Sequence, residues 1–245
     1  MTISRQAFLR LSGLSFLAAA GRRTMRAFET IGVRRTRWGM AVDVRRCGQL
    51  DGCTKCIDAC RHAHNVPVIP DPRHDVRWIW KDSLEHVLGD RNLQYSSVSK
   101  LPMMVLCNHC DNPPCVRVCP TQATWKREDG IVAMDWHRCI GCRYCMAACP
   151  YGSRSFNWVE PRPYIQSPTP DYPTRTKGVV EKCTFCAERT AAGRPPACVE
   201  ACPEKALTFG NLADPASPIR QLLASRNHVS RKPELATRPN VFYIL

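Results

Sequence analysis

The feature that most constrains this chain is the arrangement of its sixteen cysteines, which fall into four groups of four. In the most regular group, Cys139, Cys142 and Cys145 are each separated by two residues, and Cys149 follows before a proline. Such short spacings let one tight loop aim three thiolates at a single metal centre. The fourth cysteine lies about one helical turn further on, too far round to close comfortably on the same centre. The group therefore predicts a partner group that shares two metal centres with it.

This spacing is the iron–sulfur run of bacterial ferredoxins, in which the fourth cysteine ligates the second of two clusters. The other three groups lie within residues 47–60, 107–119 and 183–202 and vary the same pattern. Zinc sites also use Cys-x2-Cys pairs, but usually as two separated pairs. Disulfides between cysteines this close would form strained small loops. Four [4Fe–4S] clusters are therefore the favoured cofactors, and a zinc-stabilised interaction module is the alternative from another class.

An internal repeat identifies which groups are partners. Asp43-x-x-Arg46 and Asp135-x-x-Arg138 introduce the first and third groups in the same way. The second and fourth groups both carry Pro-Pro before their third cysteine and continue as Cys-Pro-x-x-Ala. The fourth group thus corresponds to the second, and the first to the third, in a permuted repeat. The second and third groups are predicted to form an inner unit, and the first and fourth an outer unit around it.

The repeat assigns the sixteen cysteines to four ligand sets, which we name A to D. Each set takes three cysteines from one group and the last cysteine of the partner group. Set A is Cys47, Cys53, Cys56 and Cys202; set B is Cys60, Cys183, Cys186 and Cys198; set C is Cys107, Cys110, Cys115 and Cys149; set D is Cys119, Cys139, Cys142 and Cys145. All iron is predicted to bind through these cysteines. The same equivalence predicts that a strand at Met40–Val44 lies beside one at Ala206–Phe209.

The predicted fold class is α+β, with two interleaved bacterial two-cluster ferredoxin-like units that are rich in loops and short hairpins. One hairpin joins Ala123–Lys126 to Ile131–Asp135 across a Glu-Asp-Gly turn and leads into the third group. The clusters replace part of a hydrophobic core by cross-linking segments that bury little apolar area. The predicted divisions are an outer unit at 38–101 and 179–210 with an insertion at 61–101, an inner unit at 102–158, a connector at 159–178 and an extended C-terminal docking tail at 211–245.

Residues 1–21 differ from the rest of the chain. Ser4-Arg5-Gln6 precedes a mildly apolar run, in which Ala18-Ala19-Ala20 offers a small-residue cleavage site. The run is too short to span a bilayer, which needs about 20 apolar residues. The segment is similar to a twin-arginine export signal, with Gln6 where that pattern has its second arginine. It therefore predicts a location on the periplasmic face of the membrane; the alternative is a basic arm that docks on a partner.

The formal net charge of +14 counts every cysteine as neutral. Ligating thiols are deprotonated, and four oxidised clusters with their thiolates would lower the charge by about 8, to roughly +6. The basic residues are scattered, and the sequence has no basic stripe interleaved with aromatic residues. These features argue against a nucleic-acid partner.

No catalytic site is visible in the sequence, which has no haem-attachment motif, no phosphate-binding glycine loop and no isolated nucleophile paired with a base. With every cysteine assigned, no iron has an open position for a substrate. The predicted role is electron transfer within an oxidoreductase complex, not substrate conversion. Four aromatic residues in or beside the cluster loops are expected to shield the clusters from water: His109, Trp125, Tyr144 and Phe185. His62 and His64, spaced i, i+2 shortly before a proline, could suggest a metal pair, but this spacing favours a surface loop over ligation.

Over nearly all of its length after the first 21 residues, the chain resembles the four-cluster iron–sulfur subunits of dimethyl sulfoxide reductase and polysulfide reductase type. Besides the cysteine groups, the segment from Lys232 to Tyr243 is similar to a Lys-Pro-Glu-x-Gly-Thr-x-Pro-x-Val-x-Tyr ending of that family, with Ala236 in place of its glycine. The Arg-Trp-Ile-Trp segment at 77–80 and the first cysteine group are most similar to the periplasmic ferredoxin subunits of Dsr-type membrane complexes.

This resemblance implies an electron-transfer subunit of a membrane-bound respiratory complex. Its neighbours would be a polytopic quinone-interacting membrane subunit, a multihaem cytochrome c and other subunits of a Dsr-type complex. Electrons would pass between the quinone pool and a redox partner of dissimilatory sulfur metabolism. The alternative within electron transfer is the wire subunit of a molybdopterin reductase or a hydrogenase.

Overall fold

The structure is a computed structural model that describes residues 36–88 and 96–245. The predicted export signal at 1–21 lies outside these residues. Among the residues described, no helix is both long and apolar enough to cross a membrane.

Short elements and long loops build the fold. The helices are α1 Val44–Cys47, α2 Lys55–His64, α3 Leu84–Leu88, α4 Ser96–Ser99, α5 Pro114–Arg117, α6 Tyr144–Ala147, α7 Ala187–Ala191, α8 Ala197–Glu200 and α9 Pro218–Ser225, with 3-10 turns at Pro72–His74, Arg162–Tyr164 and Pro233–Leu235. The strands are β1 Trp38–Asp43, β2 Ile79–Ser83, β3 Pro102–Leu106, β4 Thr124–Lys126, β5 Val132–Met134, β6 Ser155–Phe156, β7 Val180–Glu181, β8 Leu207–Asn211, β9 His228–Val229 and β10 Val241–Ile244. The predicted α+β class is confirmed.

The largest sheet has the strand order β8-β1-β10-β9. β1 and β8 pair antiparallel, with Met40 opposite Phe209 and Val42 opposite Leu207. This pairing confirms the predicted neighbourhood of the segments at 40–44 and 206–209. On its other edge β1 pairs in parallel with β10, where Met40 lies opposite Val241. Met40, Val42 and Val241 are fully buried, as expected where strands are covered by packed neighbours.

Besides the four-stranded sheet, the described residues form three two-stranded sheets. β4 and β5 form the predicted hairpin, with Thr124 opposite Met134. β2, from the predicted insertion, pairs with β3, the first strand of the inner unit. β6, the closing strand of the inner unit, pairs with β7, which leads into the fourth cysteine group. The two interleaved units are therefore joined by strand pairs as well as by the central sheet.

Equivalent hydrogen bonds occur in the two units. The backbone N of Asp43 donates to the carbonyl oxygen of Ala206 at 2.8 Å, and that of Asp135 donates to Ala123 at 2.7 Å. Each aspartate carboxylate also accepts a backbone N–H from the turn that follows it, at 3.0 and 2.9 Å respectively, as capping aspartates do. The sequence repeat is therefore also a repeat of backbone geometry.

The C-terminal tail packs on its own chain. The side chain of Asn240 is buried, and its Nδ2 donates to the carbonyl oxygen of His109 at 2.7 Å. The backbone N of Asn240 donates to the Asn108 oxygen at 2.9 Å, and the Asn112 N donates to the Thr237 oxygen at 3.0 Å. The segment predicted as a docking tail thus contributes to the central sheet and holds the second cysteine group in place.

Candidate iron–sulfur centres

The four cysteines of set A line one cavity, together with Lys81 and Met104. Cys47 ends helix α1 and Cys56 lies in α2, whereas Cys202 comes from the turn between α8 and β8. The antiparallel pairing of β1 with β8 is what carries Cys202 to the first group. The structure therefore brings together the members of set A from opposite ends of the cysteine-bearing region.

The four cysteines of set B line a second cavity, and all four are buried. Cys60 of this set lies in helix α2, four residues after Cys56 of set A. A rise of about 1.5 Å per residue places the two about 6 Å apart along the helix axis. Helix α2 therefore supplies cysteines to two different cavities, as the repeat requires.

The four cysteines of set C line a third cavity, which also contacts Tyr151 and Arg154. Burial raises the pKa of Cys110 in this cavity to about 12, and a hydrogen bond from the Thr237 side chain opposes that rise. Thr237 belongs to the C-terminal tail, which therefore reaches the edge of this site.

Set D has the most exposed cysteines of the four sets. Cys119, Cys139 and Cys142 are partly exposed, whereas Cys145 is buried. Cys119, Cys139 and Cys145 pack in one apolar cluster with Val132 of the β4–β5 hairpin. Cys142 lies in the same loop, between Cys139 and Cys145.

Charge interactions between cysteines show which sets are neighbours. Burial raises the pKa of Cys198, Cys183 and Cys145, and a cysteine of an adjacent set adds to each rise. That neighbour is Cys56 for Cys198, Cys107 for Cys183 and Cys115 for Cys145. The sets therefore follow one another in space as A, B, C and D.

The donor chemistry of these sites fits iron–sulfur clusters. All sixteen cysteines carry free thiols, and four of them converge on each of three cavities. Burial raises the pKa of Cys56 to about 12, and neighbouring cysteines add to the rise while Lys81 opposes it. Thiolates crowded in this way need a cationic partner, and iron accepts such soft donors. A coordinating metal deprotonates the thiol outright.

Two hydrogen-bond donors of different strength reach the sulfurs of set A. The Nζ atom of Lys81, on strand β2, donates to Cys47 Sγ at 3.1 Å. The backbone N of Ala206 donates to Cys202 Sγ at 3.3 Å. An ammonium donor makes a stronger hydrogen bond than a neutral amide. Hydrogen bonds to cluster sulfurs are one of the factors that set reduction potentials, so Lys81 is a candidate for tuning this site.

His64 is buried, and the expectation of a surface loop is wrong. It is the last residue of α2, which continues this far because Asn65 caps the helix with φ 51°. Its Nδ1 lies 3.1 Å from the carbonyl oxygen of Cys60, and its Nε2 lies 2.9 Å from Glu188 Oε1. Burial by itself lowers the pKa of His64, but hydrogen bonds to Cys186, Cys60 and Glu188 raise it above its usual value.

Of the four aromatic residues expected to shield the clusters, only two are buried. His109 and Phe185 occupy equivalent places in the second and fourth groups and stack with ring centroids 3.7 Å apart. Tyr144 is 62% exposed and Trp125 is 41% exposed, so the expectation is wrong for these two. Within β4 only Thr124 is buried, and both Trp125 and Lys126 after it are exposed.

One buried ion pair was not predicted from the sequence. Arg175, in the predicted connector, lies with Nη2 2.7 Å from Glu181 Oε2, and the two side chains are 1% and 0% exposed. The guanidinium also lies over the rings of Trp78 and Trp136, at 5.3 and 5.5 Å from their centroids. Trp78 Nε1 donates to Glu181 Oε2 at 2.9 Å. The one sequence signal for this pair is Glu181 itself, an acidic residue directly after the apolar Val179-Val180.

Comparison with known families finds a match to the 4Fe-4S dicluster domain at residues 100–162 and 167–212. The first segment holds the second and third cysteine groups, and the second segment holds the fourth. The match therefore supports the cluster chemistry of three groups independently of the cavities.

Several curated proteins are similar over most of the chain. The Hdr-like menaquinol oxidoreductase iron-sulfur subunit 1 of Archaeoglobus fulgidus is 41% identical, across 98% of this chain and 97% of that protein. Protein NrfC of Escherichia coli is 37% identical, across 100% and 96% respectively. The menaquinone reductase iron-sulfur cluster-binding subunit of Nitratidesulfovibrio vulgaris is 36% identical, across 85% and 88%. The chain therefore belongs to this family of iron–sulfur electron-transfer subunits of oxidoreductase complexes, and its sixteen cysteines fit four [4Fe–4S] clusters.

Proposed function

We propose that the chain conducts electrons through four [4Fe–4S] clusters, ligated by sets A, B, C and D in that order. The observation that carries the proposal is the distribution of burial along this order. All cysteines of set B and three of set C are buried, whereas two of set A and three of set D are partly exposed. Inner clusters protected from solvent and outer clusters near the surface are what a path between two redox partners requires.

Metal analysis of the anaerobically purified protein tests the cluster proposal. We expect iron and acid-labile sulfide in equal amounts, a brown colour, and electron paramagnetic resonance signals of reduced [4Fe–4S] clusters. A colourless protein that contains zinc would contradict the proposal and favour the zinc-stabilised interaction module.

We further propose that the complex is of the Dsr type and that this chain is its DsrO-like subunit. It would pass electrons between a polytopic quinone-interacting membrane subunit and a partner of dissimilatory sulfur metabolism, such as a multihaem cytochrome c. Two observations support this proposal: the likeness of the segment at 77–80 and of the first cysteine group, and the menaquinol and menaquinone in the names of two relatives. Export by residues 1–21 would place the subunit on the periplasmic face of the membrane.

Purification of the native complex in mild detergent tests the proposed partners. We expect a polytopic membrane subunit and a multihaem cytochrome c, the latter visible in haem-stained gels. Recovery of a molybdenum or nickel enzyme would contradict the Dsr assignment and favour a molybdopterin reductase or a hydrogenase. Fractionation of cells that produce the protein with or without residues 1–21 tests the location. Export of the protein that lacks this segment would contradict its role as an export signal.

Replacing Lys81 with methionine is expected to lower the reduction potential of one cluster, that of set A, and to leave the other three unchanged. The substitution removes an ammonium donor 3.1 Å from Cys47 Sγ and keeps an apolar stem of similar length. The expected shift is about 60–130 mV, because hydrogen bonds to charged groups contribute about 1.5–3 kcal/mol and about 1.4 kcal/mol corresponds to about 59 mV for one electron.

Potentiometric titration followed by electron paramagnetic resonance measures this shift. Lys55→Met is the matched control, since Lys55 is exposed and lies directly before Cys56. If both variants shift the reduction potential of the set A cluster equally, the shift results from the loss of net charge and not from the loss of the hydrogen bond from Lys81.

A further inference from the structure

One group of apolar side chains near set D is unusually exposed. Ile140 is 67% exposed, Tyr144 is 62% exposed and Trp158 is 42% exposed. The guanidinium of Arg143 lies 4.7 Å from the centroid of the Trp158 ring, which connects the cluster loop to Trp158. We call these four residues the 140–144 face. Single exposed apolar residues are ordinary, but several on one cluster loop and beside it make a candidate interaction site.

Three residues of the 140–144 face belong to the loop that carries three cysteines of set D. Ile140 follows Cys139 in the chain, and Arg143 and Tyr144 lie between Cys142 and Cys145. Cys139 and Cys142 are themselves partly exposed. A protein seated on this face would therefore approach the set D cluster more closely than the wholly buried set B.

The surroundings of this face are positively charged. Residues 117–126 and 136–158 hold all four cysteines of set D and contain no aspartate or glutamate. Three exposed arginines lie in these segments, Arg117, Arg138 and Arg143, whereas Lys126 pairs with Asp111 at 3.1 Å. The charged side chains exposed around this face are therefore arginines, above a cluster that with its four thiolates contributes roughly −2.

Of the acidic residues between these two segments, Asp135 pairs with one cation of the face, and Asp129 is engaged elsewhere. Its turn bonds to the central sheet, where the Trp38 N donates to the Asp129 carbonyl oxygen at 3.1 Å. The Asp129 carboxylate is engaged by Arg127 at 2.9 Å. Asp135 pairs with Arg138 at 3.4 Å, yet the Arg138 side chain stays 64% exposed.

The opposite end of the cluster path has a different charge pattern. The segment at 43–58, which carries three cysteines of set A, holds three acidic and three basic residues. Glu204 also lines the set A cavity. The set D end therefore combines exposed apolar side chains with exposed arginines, whereas acidic and basic residues balance in the segment at the set A end.

We propose that the 140–144 face is the docking surface for a redox protein whose cofactor lies beneath a carboxylate-rich surface. The proposal rests on the electron-transfer function proposed above and adds the chemistry of the partner at set D. Arg143, held against the Trp158 ring, acts as a preorganised anchor. Ile140 and Tyr144 bury apolar area against the partner, and the surrounding arginines steer its approach.

Anionic lipid headgroups would also attract aromatic and basic side chains. A redox protein is favoured because the face covers a cluster whose cysteines are partly exposed, and a lipid surface has no group that accepts an electron. Binding to anionic lipid vesicles is therefore measured as the alternative.

The test uses the full-length, cluster-loaded protein reduced with dithionite and mixed in a stopped-flow instrument with the haem domain of cytochrome b5, an acidic haem protein. Each transfer moves one electron from the reduced protein to a ferric haem. We expect the second-order rate to fall as the salt concentration rises. We expect Ile140→Glu and Arg143→Glu to lower the rate about tenfold at low salt, at the lower end of electrostatic steering effects. Lys55→Glu, at the set A end, is the matched charge reversal and is expected to leave the rate unchanged.

Iron content and the electron paramagnetic resonance spectrum of each variant are measured first. If the Arg143→Glu variant loses iron, the docking proposal is tested with Ile140→Glu alone, because the exposed Ile140 side chain can change without disturbing the loop. Equal rates for Ile140→Glu and the unchanged protein would overturn the docking proposal. A protein that contains iron but reduces no haem would instead contradict the electron-transfer function.

A second arm measures flotation with vesicles of phosphatidylcholine and phosphatidylglycerol. If Ile140→Glu abolishes vesicle binding and leaves the rate with cytochrome b5 unchanged, the face binds membranes and the proposal fails. If Ile140→Glu lowers the rate and Lys55→Glu does not, the face is the site of docking for an acidic redox protein.

Discussion

Replacing Cys60 or Cys198 with serine is expected to remove the same cluster, although Cys60 lies in the helix that carries Cys56. Both residues line the set B cavity and both are buried. A serine hydroxyl is a poor substitute for a thiolate ligand, and burial limits replacement by water. The loss of one cluster in four corresponds to up to a quarter of the bound iron. Iron and sulfide analysis and the electron paramagnetic resonance spectrum of the reduced protein measure the loss.

Cys56→Ser is the matched control for this prediction, because it changes the same helix one turn earlier. We expect it to remove a different signal, that of the set A cluster. If Cys60→Ser and Cys56→Ser remove the same signal, Cys60 belongs with set A and the pairing of groups by the repeat is wrong. Cluster binding contributes to folding free energy, so the set B variants should also unfold at a lower temperature than the unchanged protein.

Replacing Arg175 with methionine is expected to destabilise the protein by about 3–5 kcal/mol, because it leaves Glu181 charged and buried without its partner. Glu181 would keep the hydrogen bonds from Trp78 Nε1 at 2.9 Å and from Asn157 Nδ2, and these neutral donors compensate only in part. The guanidinium would also be lost from its place over Trp78 and Trp136. Cluster loss makes unfolding irreversible, so the destabilisation is measured as an increase in the rate at which cluster absorbance decays in denaturant.

Arg73→Met provides the control, because Arg73 and Asp71 lie at the same distance of 2.7 Å but Arg73 is 84% exposed. We expect this change to leave the rate unaltered, since exposed pairs are solvated and screened. The double variant Arg175→Met with Glu181→Gln should recover part of the loss, because no unpaired buried charge remains. If Arg175→Met and Arg73→Met have equal effects, the buried pair does not stabilise the joint between connector and units.

The local parts of the fold followed from the sequence. The spacing of the cysteines sets which thiolates one loop can aim at one centre, and this depends on a few neighbouring backbone torsions. The repeat of Asp43 and Asp135 before two groups predicted the β1–β8 pairing, which the register of Met40 and Phe209 confirms. The β4–β5 hairpin was predicted for the same reason, because its turn and its alternating residues are adjacent in the chain.

The exposure of single side chains did not follow from the motifs. Tyr144 and Trp125 stand beside cluster loops, as His109 and Phe185 do, yet only the latter two are buried. Which side of a loop faces solvent depends on what packs against it, and the sequence of the loop does not contain that information. Tyr144 consequently belongs to an exposed surface and not to a shield around the clusters.

The sequence by itself determined the number and type of clusters, the α+β class and the correspondence between the first and third groups. Only the tertiary structure decided which distant side chains meet around the cysteines. Lys81 reaches Cys47 because β2 pairs with β3 beside the set A cavity. Arg175 meets Trp78 and Trp136, which are far from it in the chain, because the connector packs against both rings. Ligand spacing is local geometry and can be read along the chain, whereas these contacts depend on how separate segments pack.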